Sequence, residues 1–330
     1  MDKRRSPAET AHVINAGMER MMPILTPLGV VMGFLLPAFF INLRPLVPLL
    51  FGIMTLSGAL KLRVREFGGT LKKPLGIALF FLTSHVLMPL AALIVSSVFF
   101  RADPDTVSGF ILLYSVPTAV SGFIWVTIFR GDSALCLTLI LLDTLLAPLV
   151  VPFTMSILMS SRVNLDMTGI GVSLVLMVVI PTIIGVAVNE LSRGKVPAAA
   201  CPYLNPVSKL CLILVIAANS SPVAPRVHFD DPHVWIVAAL CIFLAALGYI
   251  LSKLVSMTGR LKNEKQITLF FSVGLRNISA ATTIAIEFFP PAAALPTVLG
   301  ILFQQTMAAV MGRILLKKSD TIKPITTQEK

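Results

Sequence analysis

An all-α membrane protein of about ten transmembrane helices is what this sequence predicts, and three observations predict it. The mean hydropathy is +0.88. Charged residues make up 13% of 330 positions and hydrophobic ones 56%, roughly half the charge density of an ordinary soluble domain. The apolar residues gather into runs of the length that crosses a hydrocarbon slab about 30 Å thick, which takes about 20 residues of helix. In lipid every backbone polar group must be paired within its own segment, so such runs read as helices. The alternating pattern of a membrane barrel is absent from them.

In chain order the runs fall near 23–42, 45–61, 74–100, 106–129 and 133–159. Five more follow near 168–190, 205–224, 233–257, 265–287 and 291–316. A polar segment, 1–22, precedes them; it does not read as a signal peptide, and Ala8 to Met22 is a candidate for lying along the membrane surface. The first two runs meet around Arg44. The third carries Ser84-His85 and Met88-Pro89, and the fifth carries Asp143, Pro148 and Pro152. The fourth and ninth are interrupted at mid-depth, by Pro117-Thr118-Ala119-Val120-Ser121-Gly122 and by Gly274-Leu275-Arg276-Asn277-Ile278-Ser279.

Orientation follows from Lys and Arg, because basic loops stay cytoplasmic. With the N-terminus inside, the segments on that side carry 21 of them, including Lys3, Arg4, Arg5, Arg20, the group from Lys61 to Lys73, Arg130, Arg193, Arg260 and the tail after Arg313. The other side carries four, Arg44, Arg101, Arg162 and Arg226. The net charge of +11 is thus topological, and no nucleic-acid partner is implied. Both termini are expected in the cytoplasm and the chain in the cell's inner (plasma) membrane. Ten spans divide into five and five, and an odd number per half makes an internal duplication inverted, as in many secondary transporters. The expected organisation is a cytoplasmic segment 1–22, repeats over 23–159 and 160–316, and a tail 317–330. Interrupted helices at matching positions of two halves are the best sequence pointer to a transport site, since their free ends aim unpaired N–H and C=O groups at a cavity.

Arg276 is the most informative residue. A cation at mid-membrane costs from about 3 to over 10 kcal/mol, so it must be paired or face water. It either holds an anionic group or replaces a bound cation, or else it is a structural counter-ion fastening helices. Asp143 is its natural partner; a proton-exchanging role is the alternative. His85, with Ser84, is either a packing residue or a proton sensor, histidine ordinarily titrating near pH 6.5. Asn219-Ser220-Ser221 and Asn277 either line a pore or bond to helix carbonyls. Lys209 is expected to snorkel at a cytoplasmic helix end, Glu287 to be solvated outside, and Asp132 to cap a helix. Cys136, Cys201, Cys211 and Cys241 show no paired spacing, and three of them sit in apolar runs as small hydrophobes. No phosphate loop, HExxH or nucleophile set marks an enzyme.

These residues in this order resemble the bile acid:sodium symporter family in its bacterial ten-helix form, over roughly 23–316. The resemblance rests on Phe51-Gly52-Ile53-Met54-Thr55-Leu56 with a basic loop through Phe67, on Met88-Pro89, on Pro117 with Arg130-Gly131-Asp132, on Pro148 and Pro152, and on Val273-Gly274-Leu275-Arg276-Asn277. It implies a panel of spans 1, 2, 6 and 7 and a core of the rest, in which broken helices 4 and 9 cross. It also implies sodium-coupled uptake of organic anions by alternating access. Where the family has oxygen ligands for sodium, this chain has Gly122-Phe123, Cys136, Ile140, Ser84, Ser272 and Arg276, and only Asn277 is kept. A guanidinium 4 Å from such a site repels sodium by about 4 kcal/mol at an effective dielectric near 20. The expectation is a carrier of a small organic anion with altered or absent sodium coupling, without other cofactors. Arg276, Asn277, Ser279, Thr118, Ser121 and Asn219 would take the substrate; Asp143, His85, Ser84 and Ser272 would serve coupling. Sodium-coupled symport, or a channel or receptor, are the alternatives.

Overall fold

The structure, a computed structural model, describes residues 7–62, 70, 74–159, 166–228 and 230–316. Lys3, Arg4, Arg5, the basic residues and Phe67 of the 63–73 loop, Arg162 and the basic tail after 316 lie outside the described residues, as do the side chains of Arg20 and Arg226. The described chain is helical. Its helices are α1 (Pro7–Leu35), α2 (Pro37–Ala59, with a 3-10 turn over Ile41–Leu46), α3 (Leu75–Phe99), α4 (Pro104–Ser115), α5 (Gly122–Ile128) and α6 (Ser133–Met159). Then come α7 (Met167–Leu191), α8 (Lys195–Ser220), α9 (Pro232–Thr258), α10 (Asn263–Gly274), α11 (Ile278–Phe288) and α12 (Pro291–Leu315). Seven of these, α2, α3, α6, α7, α8, α9 and α12, are long and apolar enough to cross a membrane. Counting α1 makes eight; it bends by 75° between Val13–Glu19 and Ile24–Leu35.

The spans are smooth where the sequence permits and irregular where proline forbids. Pro89 has no N–H to give and its ring crowds the carbonyl four residues back. The turn ahead of it, Thr83–Leu87, widens into a π-helix. The same happens over Val175–Val179 ahead of Pro181. Outward faces are apolar at helical spacing: Leu149, Phe153 and Ile157 on α6 are each more than 60% exposed, a stripe suited to lipid rather than water. Inward faces pack α1 on α8, α8 on α2, α2 on α7, α3 on α4, and α9 on both α10 and α12.

The α8 helix starts at Lys195, ten residues ahead of the expected edge, since its Pro202 and Pro206 lie inside a continuous helix. Lys209 is consequently well inside that helix rather than snorkelling at an end. It bonds to Glu19 of α1 at 3.1 Å and to Asn15. Three helices, α5, α7 and α9, end in a left-handed residue that is arginine rather than glycine: Arg130 (φ 58°), Arg193 (φ 52°) and Arg260 (φ 53°). Each is followed by an N–H that reaches back five residues, Gly131 to Val126, Gly194 to Asn189 and Leu261 to Ser256. That is the bond that closes a helix through a left-handed C′ residue.

Two interruptions position everything that follows. Val116 precedes Pro117 and is therefore held extended (φ −64°, ψ 156°), which stops α4. In the other, Leu275 is extended (φ −109°, ψ 106°) and stops α10. Asn277 starts α11 by accepting the Ala280 N–H at 3.3 Å. The two extended stretches lie side by side as an antiparallel bridge between Thr118 and Arg276. Ala119 N donates to Leu275 O at 2.9 Å, and Asn277 N to Pro117 O at 2.8 Å. Backbone freed from helix in one break is paired by the other.

Candidate functional site

Every helix end leaves carbonyls without an intrahelical partner, and here the two breaks exchange the groups that satisfy them. Arg276, from the second break, sends Nη2 to the Tyr114 carbonyl in the last turn of α4 at 2.9 Å. Thr118, from the first break, sends its hydroxyl to Ser272 O at 2.7 Å and Leu275 O at 3.1 Å at the end of α10. A cation at a helix C-terminus is favourable because the dipole is negative there. A longer 3.5 Å contact joins Nη2 to the Ser84 carbonyl in the π turn of α3. Gln304 of α12 donates to the Arg276 carbonyl.

The guanidinium is far from saturated. Arg276 is 2% exposed, yet its Nε and Nη1 have no hydrogen-bond partner in the protein. A buried polar group left without a partner costs about 1–3 kcal/mol, more if charged.

Asp143 does not pair with Arg276. Its Oδ1 lies 2.6 Å from His85 Nε2, and its Oδ2 accepts the Thr118 N–H at 2.7 Å. The expected Arg276–Asp143 contact is therefore corrected: both carboxylate oxygens are committed to other donors. Arg276 feels Asp143 only through space. The pair is deeply enclosed, with side-chain exposures of 7% for His85 and 0% for Asp143. His85 stacks on Phe81 at 5.4 Å, and its other nitrogen, Nδ1, has no partner.

The remaining expected residues divide. Thr118 stands at the bridge and Asn277 caps α11, so its side chain bonds to backbone N–H. Ser84 is fully buried with an unpartnered hydroxyl, and Ser272 Oγ faces Cys136 Sγ at 4.0 Å. Ser121 lies at the start of α5 and Ser279 in the first turn of α11, both half-buried. Asn219 is apart from the bridge and donates to Thr283 Oγ1 of α11 at 2.8 Å. Asp132 caps α6 through the Leu135 N–H at 2.9 Å. Glu287 is exposed, 3.5 Å from Ser173. Sequence reasoning missed Tyr114, Gln304 and Gln305, the last accepting from Trp125 Nε1 at 3.0 Å. The adjacent glutamines inside an apolar helix were the available signal; the Tyr114 carbonyl left none.

The described residues thus form a helical, multi-pass membrane protein in which two helix interruptions meet around buried charges. Residues 47–227 match the model of the sodium bile acid symporter family. The chain is 37% identical to the "Uncharacterized protein YbaS" of Bacillus subtilis over 294 residues, covering 89% of this chain and 96% of that one. It is 22% identical to the "Uncharacterized sodium-dependent transporter YocS" of the same organism, covering 87% and 88%. A third relative is the "Probable sodium/metabolite cotransporter BASS1, chloroplastic" of Arabidopsis thaliana, 22% identical and covering 95% and 77%. The chain belongs to the sodium bile acid symporter family, a family of transporters rather than enzymes.

Proposed function

We propose that the chain is a secondary transporter of a small organic anion whose negative group binds Arg276 between the paired breaks. The observation that carries this reading is a guanidinium buried to 2% exposure with two of its three nitrogens unpartnered. The oxygens of a carboxylate or sulfonate would fill that deficit with charge-assisted bonds. Thr118, Ser121, Asn277 and Ser279 stand around the breaks to orient the solute, and Asn219, bonded to Thr283 of α11 apart from the bridge, is a further residue to take it. In this reading α4 with α5 and α10 with α11 are two interrupted spans. Added to the eight others they make ten, arranged as inverted repeats over 23–159 and 160–316. Spans α1, α2, α7 and α8 form the panel, the rest the core, and both termini are in the cytoplasm of a plasma-membrane carrier.

Arg276 also bears on coupling. Its Nη2 occupies carbonyl oxygens of the kind a hard cation requires, so the side chain supplies a fixed positive charge in place of sodium. Transport is then sodium-independent. Sodium-coupled symport is the second reading, favoured by relatives whose names include sodium.

One experiment separates them. The purified full-length protein is screened by thermal shift against carboxylates and sulfonates, with and without sodium, beside Arg276→Gln. Stabilisation by at least one acid, indifferent to sodium and lost in Arg276→Gln, is the expected result. Stabilisation that needs sodium and persists in Arg276→Gln overturns the reading.

A further inference from the structure

We propose that His85 and Asp143 form a proton site that loads together with the anion, making the carrier an anion–proton symporter. This rests on the reading of Arg276 as the anion site and adds the coupling ion. Four observations converge. The His85 Nε2–Asp143 Oδ1 contact is 2.6 Å long and almost wholly enclosed. The carboxylate's other oxygen holds the Thr118 N–H, the residue that bridges to Arg276. His85 sits in a π-helical turn, a feature common at functional sites. Its Nδ1 is buried and has no partner.

The chemistry follows from imidazole itself. With Nε2–H donating to Asp143, Nδ1 carries a free lone pair. A proton arriving from solvent leaves a hydronium or buffer acid and forms the Nδ1–H bond, giving imidazolium against carboxylate. On release the same N–H bond breaks and the proton returns to water on the other side.

Charge balance makes the two events depend on each other. The empty site holds one positive side chain, Arg276, and one negative, Asp143, which is neutral in sum. A monovalent anion alone would leave one uncompensated negative charge in a medium where isolated charge is costly. A proton alone would leave one positive. Both together restore neutrality, so each favours the other's binding by the same factor. Among the described residues, the titratable groups at the middle of the helices packed against this pair are Tyr114 on α4, Cys136 on α6 and Cys241 and Tyr249 on α9, while Asp105 of α4, Glu190 of α7, His233 and Lys253 of α9 and Glu264 and Lys265 of α10 lie toward the helix ends. The tyrosines and cysteines are neutral in their protonated forms, and among the described residues the buried charged group coupled to Asp143 is Arg276.

The test has two arms on the full-length protein in sodium-free potassium buffer. In the first, histidine is labelled with 15N and followed by NMR without ligand; the His85 signal is identified by its loss in His85→Gln. Its 15N shifts are expected to change from the neutral to the imidazolium pattern as protons are added, and to respond to Asp143→Asn. In the second, the acid giving the largest Arg276-dependent thermal shift among carboxylates from acetate to cholate is titrated calorimetrically, in two buffers of different ionisation heat. Where the free protein shows His85 in its neutral 15N pattern, close to one proton is expected to be taken up per anion and affinity to fall by about tenfold per pH unit, as one linked proton requires. In His85→Gln proton uptake vanishes and affinity is pH-independent, at the weak level of the wild type at high pH. Tight binding with no proton uptake overturns the proton site and leaves the anion reading standing. Should no acid bind, the anion reading fails and the NMR arm alone decides: a titrating His85 coupled to Asp143 keeps the proton site, and a silent one removes it.

Discussion

Asp143 neutralises Arg276 without touching it, and that arrangement has a measurable consequence. Its oxygens are committed to His85 and Thr118, so replacement by asparagine keeps the shape while removing the compensating charge. Breaking a buried charge pair by deleting one partner costs about 3–5 kcal/mol, and Asp143→Asn is expected to approach the lower end because the two groups are not in contact. The double variant Asp143→Asn/Arg276→Gln should lose less than the sum of the single losses, read as thermal unfolding midpoints in detergent. Strict additivity would show that the charges do not communicate. The sequence made Arg276 and Asp143 conspicuous because ionisable residues at mid-membrane are rare. It did not reveal how they connect, since depth along a helix says nothing about the direction a side chain faces. The guanidinium's actual acceptors are backbone carbonyls of Tyr114 and Ser84, which every residue type possesses.

At the scale of helices, the breaks were legible because proline, glycine and asparagine act locally. The start of α8 was not, because prolines in its first half disguise a helix as a linker to hydropathy. Gly274, the last residue of α10, is a place where the break depends on the absence of a side chain. A Cβ there would fall within the ring of Tyr249, a residue fully enclosed on α9. Gly274→Ala is therefore expected to lower the unfolding midpoint and distort the bridge, and Tyr249→Ala in the same chain should recover part of the loss. No recovery would mean that backbone freedom, rather than space, fixes the glycine. The left-handed arginines give a contrasting expectation. A non-glycine residue in that conformation costs about 1–2 kcal/mol, so Arg193→Gly should raise stability by about 1 kcal/mol. The same change removes a cation from the end of α7, where it favours the helix dipole and, in the proposed orientation, counts toward the basic side. Raised stability alongside a larger fraction of misoriented chains, scored by protease access in vesicles, is the expected combination.

For the molecule as a whole, alternating access requires the panel to move against the core, and one contact reports directly on that. Asn219 at the end of α8 bonds to Thr283 of α11 at 2.8 Å, joining the two groups of helices in the proposed arrangement. By contrast, Trp125 of α5 and Gln305 of α12, 3.0 Å apart, lie within the core. In a chain whose Cys136, Cys201, Cys211 and Cys241 are replaced, cysteines at 219 and 283 joined by a short bifunctional thiol reagent should stop uptake of the acid that binds Arg276. Cysteines at 125 and 305 joined by the same reagent should leave uptake at the rate of their unjoined control, and a cleavable linker should restore the first pair once it is cut. A channel, whose path stays open without such movement, would keep conducting with 219 and 283 tied. The enclosure of Arg276, Asp143 and Thr118, none more than 2% exposed, argues for the moving carrier. No solute reaches groups so deeply covered unless the helices around them part.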